Sequence, residues 1–125
     1  MQVVDRQLNE ARFPALQQEV EDLLQSLNSD LSTWLPDSAI SRFNNSTSTE
    51  PFAVSAAFAD VTRTALEVSQ LSGGAFDITF SPLFDLWGFG RSGPKRIPAA
   101  EEQAATRLRC GYPHLSVPTA SSIQK

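Results

Sequence analysis

Residues 72–90 read SGGAFDITFSPLFDLWGFG, and this short segment constrains the fold more than any other part of the chain. Its glycines permit backbone angles and close approaches that other residues resist, and Pro82 fixes one torsion between them. Two carboxylates, Asp77 and Asp85, lie among large rings. Those rings belong to Phe76, Phe80, Phe84, Trp87 and Phe89. Carboxylates flanked by aromatic residues and glycines predict a shaped pocket for a ligand.

The composition predicts a folded domain and excludes several kinds of partner and site. The chain has 125 residues, of which 41% are hydrophobic, so disorder throughout is not expected. A net charge of −4 argues against nucleic-acid binding, which requires a basic face. The single cysteine, Cys110, excludes an intrachain disulfide, and the single histidine, His114, excludes a multi-histidine metal site.

Apolar spacing predicts three helices. The first covers residues 13–31 and starts with Pro14, a residue suited to the first helical turn. The second covers residues 56–71, with Ser55 as its N-cap and Gly73 as its stop signal. Its buried stripe is expected to contain Phe58, Val61, Ala65, Val68 and Leu71. The third runs from Pro98 to about Arg109, and a single helical turn is expected at residues 38–43.

Strands are predicted at residues 2–4, 76–80, 115–117 and 122–125. The segment 76–80 alternates apolar and polar residues, which is typical of a half-buried strand. Residues 44–51 are expected to form a polar loop and residues 81–96 a long aromatic and glycine-rich loop. Strands and helices that do not alternate regularly favour an α+β fold, with helices packed on a mainly antiparallel sheet.

Individual motifs carry different amounts of chemical information. Residues 88–93 match the G-x-G-x-x-G pattern, but no helix follows directly, so a flexible loop is expected there instead of a dinucleotide fingerprint. For His114 and Cys110 we expect structural roles. Two interpretations of Asp77 stay open: it caps a turn, or it accepts hydrogen bonds from a ligand. Trp34 lies in a turn-rich segment and offers a stacking surface for a flat ring.

Two longer blocks of sequence resemble the ApbE family, the FAD:protein FMN transferases. Residues 32–44, STWLPDSAISRFN, are similar to the family's S-T-[YW]-x-P-x-S-x-[LI]-S-R-F-N segment. Residues 74–90 are similar to its G-A-F-D-x-T-x-x-P-L-x-x-L-W-G-F-G block. The resemblance covers nearly all of the chain after residue 13, and the tail that includes Gly111, Tyr112 and His114 follows in the family's order.

The resemblance implies a fold, an activity and a set of binding residues. It implies an ApbE-like α+β fold and a magnesium-dependent transfer of FMN from FAD to a threonine or serine hydroxyl of a target flavoprotein, with release of AMP. Trp34, Ala75, Phe76 and Asp77 match family positions that contact FAD. The family also implies a periplasmic location, with membrane contact only through an N-terminal lipid anchor upstream of this sequence. The first residues, MQVVDRQLNEAR, do not resemble a signal peptide.

Departures from the family pattern lead to further expectations. The family's upstream M-G-T segment is not matched, and its metal-binding residues would follow Lys125. We therefore expect residues 1–125 to be the N-terminal part of a single transferase domain, incomplete at the C-terminus. We expect this part alone to be inactive, and exposed sheet edges would favour self-association. The alternatives are a flavin-binding module without catalysis and an interaction domain that has lost the cofactor.

Overall fold

The fold is described from a computed structural model, which describes residues 12–89 and 96–125. The chain divides into two compact units, Met1–Ser46 and Thr47–Lys125. The strand expected at residues 2–4 and the residues 90–93 of the glycine-rich motif lie outside the described residues. None of the described helices is both long and apolar enough to cross a bilayer.

The first unit contains helix α1, Phe13–Leu31, and helix α2, Ala39–Asn45, which contact each other. The α1 bounds agree with the prediction, and Pro14 lies in its first turn. Helix α2 begins after Ser38, whose hydroxyl oxygen accepts from the Ser41 N–H at 3.2 Å. The single helical turn predicted there is therefore a helix of seven residues.

The described part of the second unit contains three strands and three α-helices. In chain order they are β1 (Phe52–Ala53), α3 (Ala56–Leu71), α4 (Ser81–Leu86), α5 (Ala100–Arg107), β2 (Ser116–Thr119) and β3 (Ser122–Gln124). A 3-10 helix, Tyr112–His114, precedes β2. The strands form an antiparallel sheet in the order β1-β3-β2, with Phe52 opposite Ile123. Helix α3 packs on β2 and β3, and α4 packs against α5, so the predicted α+β class is confirmed.

Helix α3 has the predicted bounds but a different buried face. Ser55 caps it by accepting from the Phe58 N–H at 3.1 Å. The buried residues are Phe58, Ala59, Thr62 and Ser69. Val61 is 51% exposed and Leu71 is 88% exposed, so the predicted stripe is wrong outside Phe58 and the half-buried Ala65. Thr62 and Ser69 can be buried because their hydroxyls donate to the helix carbonyls four residues earlier, so neither hydroxyl is left without a partner.

The strand predicted at residues 76–80 is wrong, because these residues form turns. The Phe76 N–H donates to the Ser72 hydroxyl oxygen at 3.1 Å, and the Thr79 N–H donates to Asp77 Oδ1 at 2.8 Å. Local side chains thus take backbone donors that a strand would give to a neighbour. The loop predicted at residues 81–96 is wrong at its start, where Pro82 lies in the first turn of α4.

Candidate functional site

An open cleft of about 550 Å³ lies in the second unit. One wall, which we call the turn wall, follows helix α3 and continues into α4. It consists of Gly74, Ala75, Phe76, Asp77, Phe80 and Leu83. The other, which we call the α5 wall, consists of Arg107, Cys110 and Gly111. The two walls are formed by segments about thirty residues apart in the sequence, so tertiary contacts must hold them together.

Glycines after α3 direct the chain into the turn wall. Gly73 has φ +60° and donates to the Gln70 carbonyl, while the Gly74 N–H reaches back to the Ser69 carbonyl at 2.8 Å. This pair of bonds is a Schellman motif, which ends a helix where a residue adopts a left-handed conformation. The chain therefore reverses at Gly73 and places residues 74–77 along the cleft.

Asp77 joins the turn wall to the α5 wall through its carboxylate. Oδ1 accepts from the Thr79 N–H at 2.8 Å and from the Thr79 hydroxyl at 2.7 Å, and Oδ2 accepts from the Tyr112 N–H at 2.9 Å. The Thr79 hydroxyl oxygen in turn accepts from the Gly111 N–H at 2.7 Å. Four hydrogen bonds thus form one connected network, which we call the Asp77–Thr79 clamp.

The clamp determines the charge state of Asp77. Partial burial would raise the pKa of this carboxyl, but hydrogen bonds from Thr79 and Tyr112 and the nearby charge of His114 outweigh that effect. The pKa of Asp77 consequently lies below its ordinary value, and the group is ionised at neutral pH. Of the two interpretations left open by the sequence, capping a turn is what the carboxylate does here; contact with a ligand stays a prediction.

Aromatic side chains line the turn wall and continue beyond it. Phe76 and Phe80 are about half exposed, with 46% and 49% of their surface accessible. A second, apolar pocket of about 440 Å³ adjoins at Phe80 and is lined by Phe80, Phe84, Trp87 and Phe89. The rings of Phe84 and Phe89 lie 5.5 Å apart between centroids. These faces offer stacking area for a flat ring.

The α5 wall supplies positive charge and no metal site. Arg107 is exposed in the last turn of α5, and no ion pair involving it is recorded among the described residues. Cys110 is half-buried and its thiol donates to the Thr106 carbonyl at 3.6 Å. Within residues 12–89 and 96–125, no three side chains of His, Cys, Asp or Glu lie close enough to hold a metal ion. The described residues therefore do not fit a magnesium site.

The structure brings three of the four predicted binding residues together. Ala75, Phe76 and Asp77 all line the cleft. Trp34 belongs to the first unit, in the turn between α1 and α2, where its side chain is 74% exposed. Its exposure is compatible with the predicted stacking role, which stays a prediction.

Sequence reasoning missed Thr79, Arg107 and Gly111. The D-x-T spacing of Asp77 and Thr79 was a usable signal, because aspartate often accepts from the backbone two residues later. Gly111 has φ +139°, and an added Cβ would lie 3.2 Å from the His114 ring, so the position favours glycine. No sequence signal places Arg107 at a cleft, since an arginine near a helix end normally complements the helix dipole.

Comparison with known proteins shows the family to which this chain is similar. The sequence profile of the ApbE family matches residues 1–125. The chain belongs to the ApbE family. An FAD:protein FMN transferase from Vibrio cholerae is 44% identical over 103 residues, which are 82% of this chain. One from Klebsiella pneumoniae is 40% identical over 118 residues, or 94% of the chain. The solved flavin transferase ApbE from Vibrio cholerae superposes with a TM-score of 0.85 at 37% identity, over 98% of this chain and 39% of that one.

The ApbE likeness covers this chain almost fully but its relatives only in part. The matches span 31% of the Vibrio cholerae transferase sequence and 34% of the Klebsiella pneumoniae one. The chain therefore spans about a third of the length of the curated relatives it matches. The high TM-score confirms the ApbE-like fold expected from the two sequence blocks.

Proposed function

We propose that this chain forms the flavin-nucleotide-binding part of an FAD:protein FMN transferase. The observation that carries the proposal is the cleft, in which aromatic faces and a positively charged Arg107 meet at the residues of the G-A-F-D block. A flat isoalloxazine or adenine ring requires stacking area, and a diphosphate requires positive charge. The family membership and the names of the relatives support the same substrate.

The proposed reaction is a phosphoryl-type transfer. A threonine or serine hydroxyl oxygen of the acceptor flavoprotein attacks the phosphorus of the FMN half of FAD. A new phosphoester bond forms there, the bond from that phosphorus to the bridging oxygen breaks, and AMP leaves with that oxygen. The hydroxyl proton passes to a base or to solvent. Positioning and charge compensation dominate the catalysis of such transfers.

The described residues would serve binding and orientation. Phe76 would offer a stacking face to FAD, and Ala75 would line the cleft beside the bound nucleotide. For Trp34, in the first unit, we retain the FAD contact that the family resemblance implies. Arg107 would offset part of the diphosphate charge. When bound, magnesium would lower the cost of charge build-up on the phosphates, and we propose that its ligands lie outside the described residues. We also propose the periplasmic location that the family resemblance implies.

A binding and turnover experiment tests this function. Isothermal titration calorimetry of the 125-residue chain with FAD is expected to show saturable binding. A mass-spectrometric assay with FAD, magnesium and an acceptor peptide is expected to show no addition of FMN by this chain alone. Product would overturn the expected inactivity. No FAD binding would overturn the proposed function and favour an interaction domain.

Arg107 provides the sharpest variant for this test. Replacing Arg107 with glutamine is expected to weaken FAD binding at least tenfold, because a charge-assisted bond to phosphate is worth about 1.5–3 kcal/mol. Arg109 is the matched control, since it is exposed two residues later and does not line the cleft. R109Q is expected to bind FAD within about twofold of the original chain. Equal effects of the two changes would contradict the role of Arg107.

A further inference from the structure

The two walls of the cleft are connected by hydrogen bonds from main-chain N–H groups of residues 111 and 112 to the side chains of Asp77 and Thr79. The Tyr112 N–H donates to Asp77 Oδ2 at 2.9 Å, and the Gly111 N–H donates to the Thr79 hydroxyl oxygen at 2.7 Å. These bonds join residues 35 and 32 positions apart. Gly111 lines the cleft and Thr79 does not. Thr79 therefore acts on the cleft through Gly111 and not by facing a ligand.

We propose that Asp77 and Thr79 are positioning residues that hold the α5 wall at the spacing required for nucleotide binding. The inference rests on the proposed function for the identity of the ligand. In this proposal the Asp77 carboxylate positions the α5 wall by its hydrogen bonds with Tyr112 and Thr79. This role is additional to any contact that the main chain of residues 75–77 makes with FAD.

The chemistry of the carboxylate supports this role. Asp77 accepts from three donors, two on Thr79 and one on Tyr112, so its negative charge is spread over fixed hydrogen bonds. Both carboxylate oxygens are thus occupied by donors of this chain, which fixes the orientation of the Asp77 side chain relative to Thr79 and Tyr112.

The geometry of the α5 wall makes it sensitive to the clamp. Gly111 has φ +139°, and the His114 ring approaches it closely enough that an added Cβ would be 3.2 Å away. The Tyr112 ring lies against Gly74, at 3.6 Å from where a Cβ would be. The segment thus packs directly on the turn wall, and the Thr79 and Asp77 side chains fix the positions of its Gly111 and Tyr112 amides.

A matched pair of variants at Thr79 tests the proposal. Thr79→Val keeps the shape but removes both the acceptor for Gly111 and the donor to Asp77. Thr79→Ser keeps the hydroxyl. With calorimetry and FAD as the probe, T79V is expected to weaken binding at least tenfold and T79S less than threefold. The thermal unfolding midpoint is measured for both variants as well. If T79V weakened FAD binding only because the chain was less stable, the loss of affinity would follow the fall in that midpoint.

A second pair of variants separates the effect of the Asp77 hydrogen bonds from the effect of removing one negative charge. Asp77→Asn leaves one acceptor oxygen and replaces the other with an N–H₂ group, which only donates. The side chain can therefore accept from Thr79 or from Tyr112, but not from both. Asp85→Asn is the control, because Asp85 is exposed on α4 and makes no recorded side-chain bond in the described part of the chain. D77N is expected to weaken FAD binding at least tenfold and D85N less than twofold.

Hydrogen exchange gives a readout that does not depend on FAD. The Gly111 and Tyr112 amides are expected to exchange at least tenfold faster in T79V or D77N than in T79S or D85N, while the amides of α3 keep their rates. Unchanged Gly111 and Tyr112 rates would overturn the clamp. Faster exchange with unchanged FAD affinity would overturn its role in binding but leave the proposed function standing. Absence of FAD binding in the original chain would instead refute the proposed function.

Discussion

The Asp77 side chain both caps a turn and connects the two walls of the cleft. Its ionisation makes the stability of the fold depend on pH. Its folded-state pKa lies below the ordinary value, so the ionised form is the one that the fold stabilises. This stabilisation is complete above the unfolded pKa, about 4. It is lost as the pH falls through the lower folded pKa.

We therefore predict that the chain loses stability below about pH 4, and that part of this loss disappears in Asp77→Asn. Urea unfolding midpoints at pH 6 and pH 3 measure it. The D77N chain is expected to show a smaller difference between the two pH values than the original chain, and D85N the same difference. An equal pH dependence in D77N and the original chain would contradict the assignment of the lowered pKa to Asp77.

Single residues also show what the sequence could and could not predict at the site. Asp77 was identified from its position among glycines and aromatic residues, and Phe76 as a binding residue from the family resemblance, and both line the cleft. The alternation over residues 76–80 predicted a strand because it considers only apolar and polar character. Hydrogen bonds from Phe76 to Ser72 and from Thr79 to Asp77 decided the local structure instead.

Among the elements, helix α3 shows how capping and packing differ in predictability. Its ends are encoded locally, by the Ser55 hydroxyl at one end and Gly73 at the other. Its buried face depends on which side the sheet occupies, and that information lies in distant strands. Apolar spacing pointed to Val61 and Leu71, but the buried residues include Ala59, Thr62 and Ser69.

The rotated face of α3 leads to a prediction that uses two apolar residues of the same helix. Phe58→Ala is expected to lower the free energy of unfolding by about 3–5 kcal/mol, because it removes a ring that is only 4% exposed. Val61→Ala is the matched control at 51% exposure and is expected to change it by less than about 0.5 kcal/mol. Chemical denaturation at equilibrium measures both. A cost at Val61 well above about 0.5 kcal/mol, typical of a buried residue, would instead support the stripe expected from the sequence.

Over the whole molecule, the α+β class and the antiparallel strands near residue 120 could be predicted because helices and strands have different apolar periods. The strand at Phe52–Ala53 could not, since two residues carry no periodicity. Its pairing with β3 comes from a contact between distant segments, Phe52 opposite Ile123. The cleft likewise depends on a hydrogen bond between residues 77 and 112, which no local sequence pattern predicts.

The sheet order predicts an unequal response to shortening the chain. β3 lies between β1 and β2, and its Ile123 is 1% exposed. Deleting residues 122–125 is expected to abolish cooperative unfolding and the dispersed amide signals of β1 and β2, because both strands lose their partner. Deleting Lys125 alone is the control and is expected to preserve both. Circular dichroism melts and amide NMR spectra measure the difference, and a cooperative melt in the longer deletion would contradict it.

The central place of β3 also sets the order in which a ribosome could complete this sheet. Phe52 emerges early, but its partner Ile123 is made about 70 residues later. At about 5–20 residues per second, translation leaves β1 unpaired for several seconds. Helix α3 has only local bonds and can form during that interval with its sheet-facing side uncovered. The nascent chain thus exposes an apolar surface centred on Phe58 until nearly all of residues 1–125 has been synthesised, which makes this the interval in which a chaperone would have most to bind.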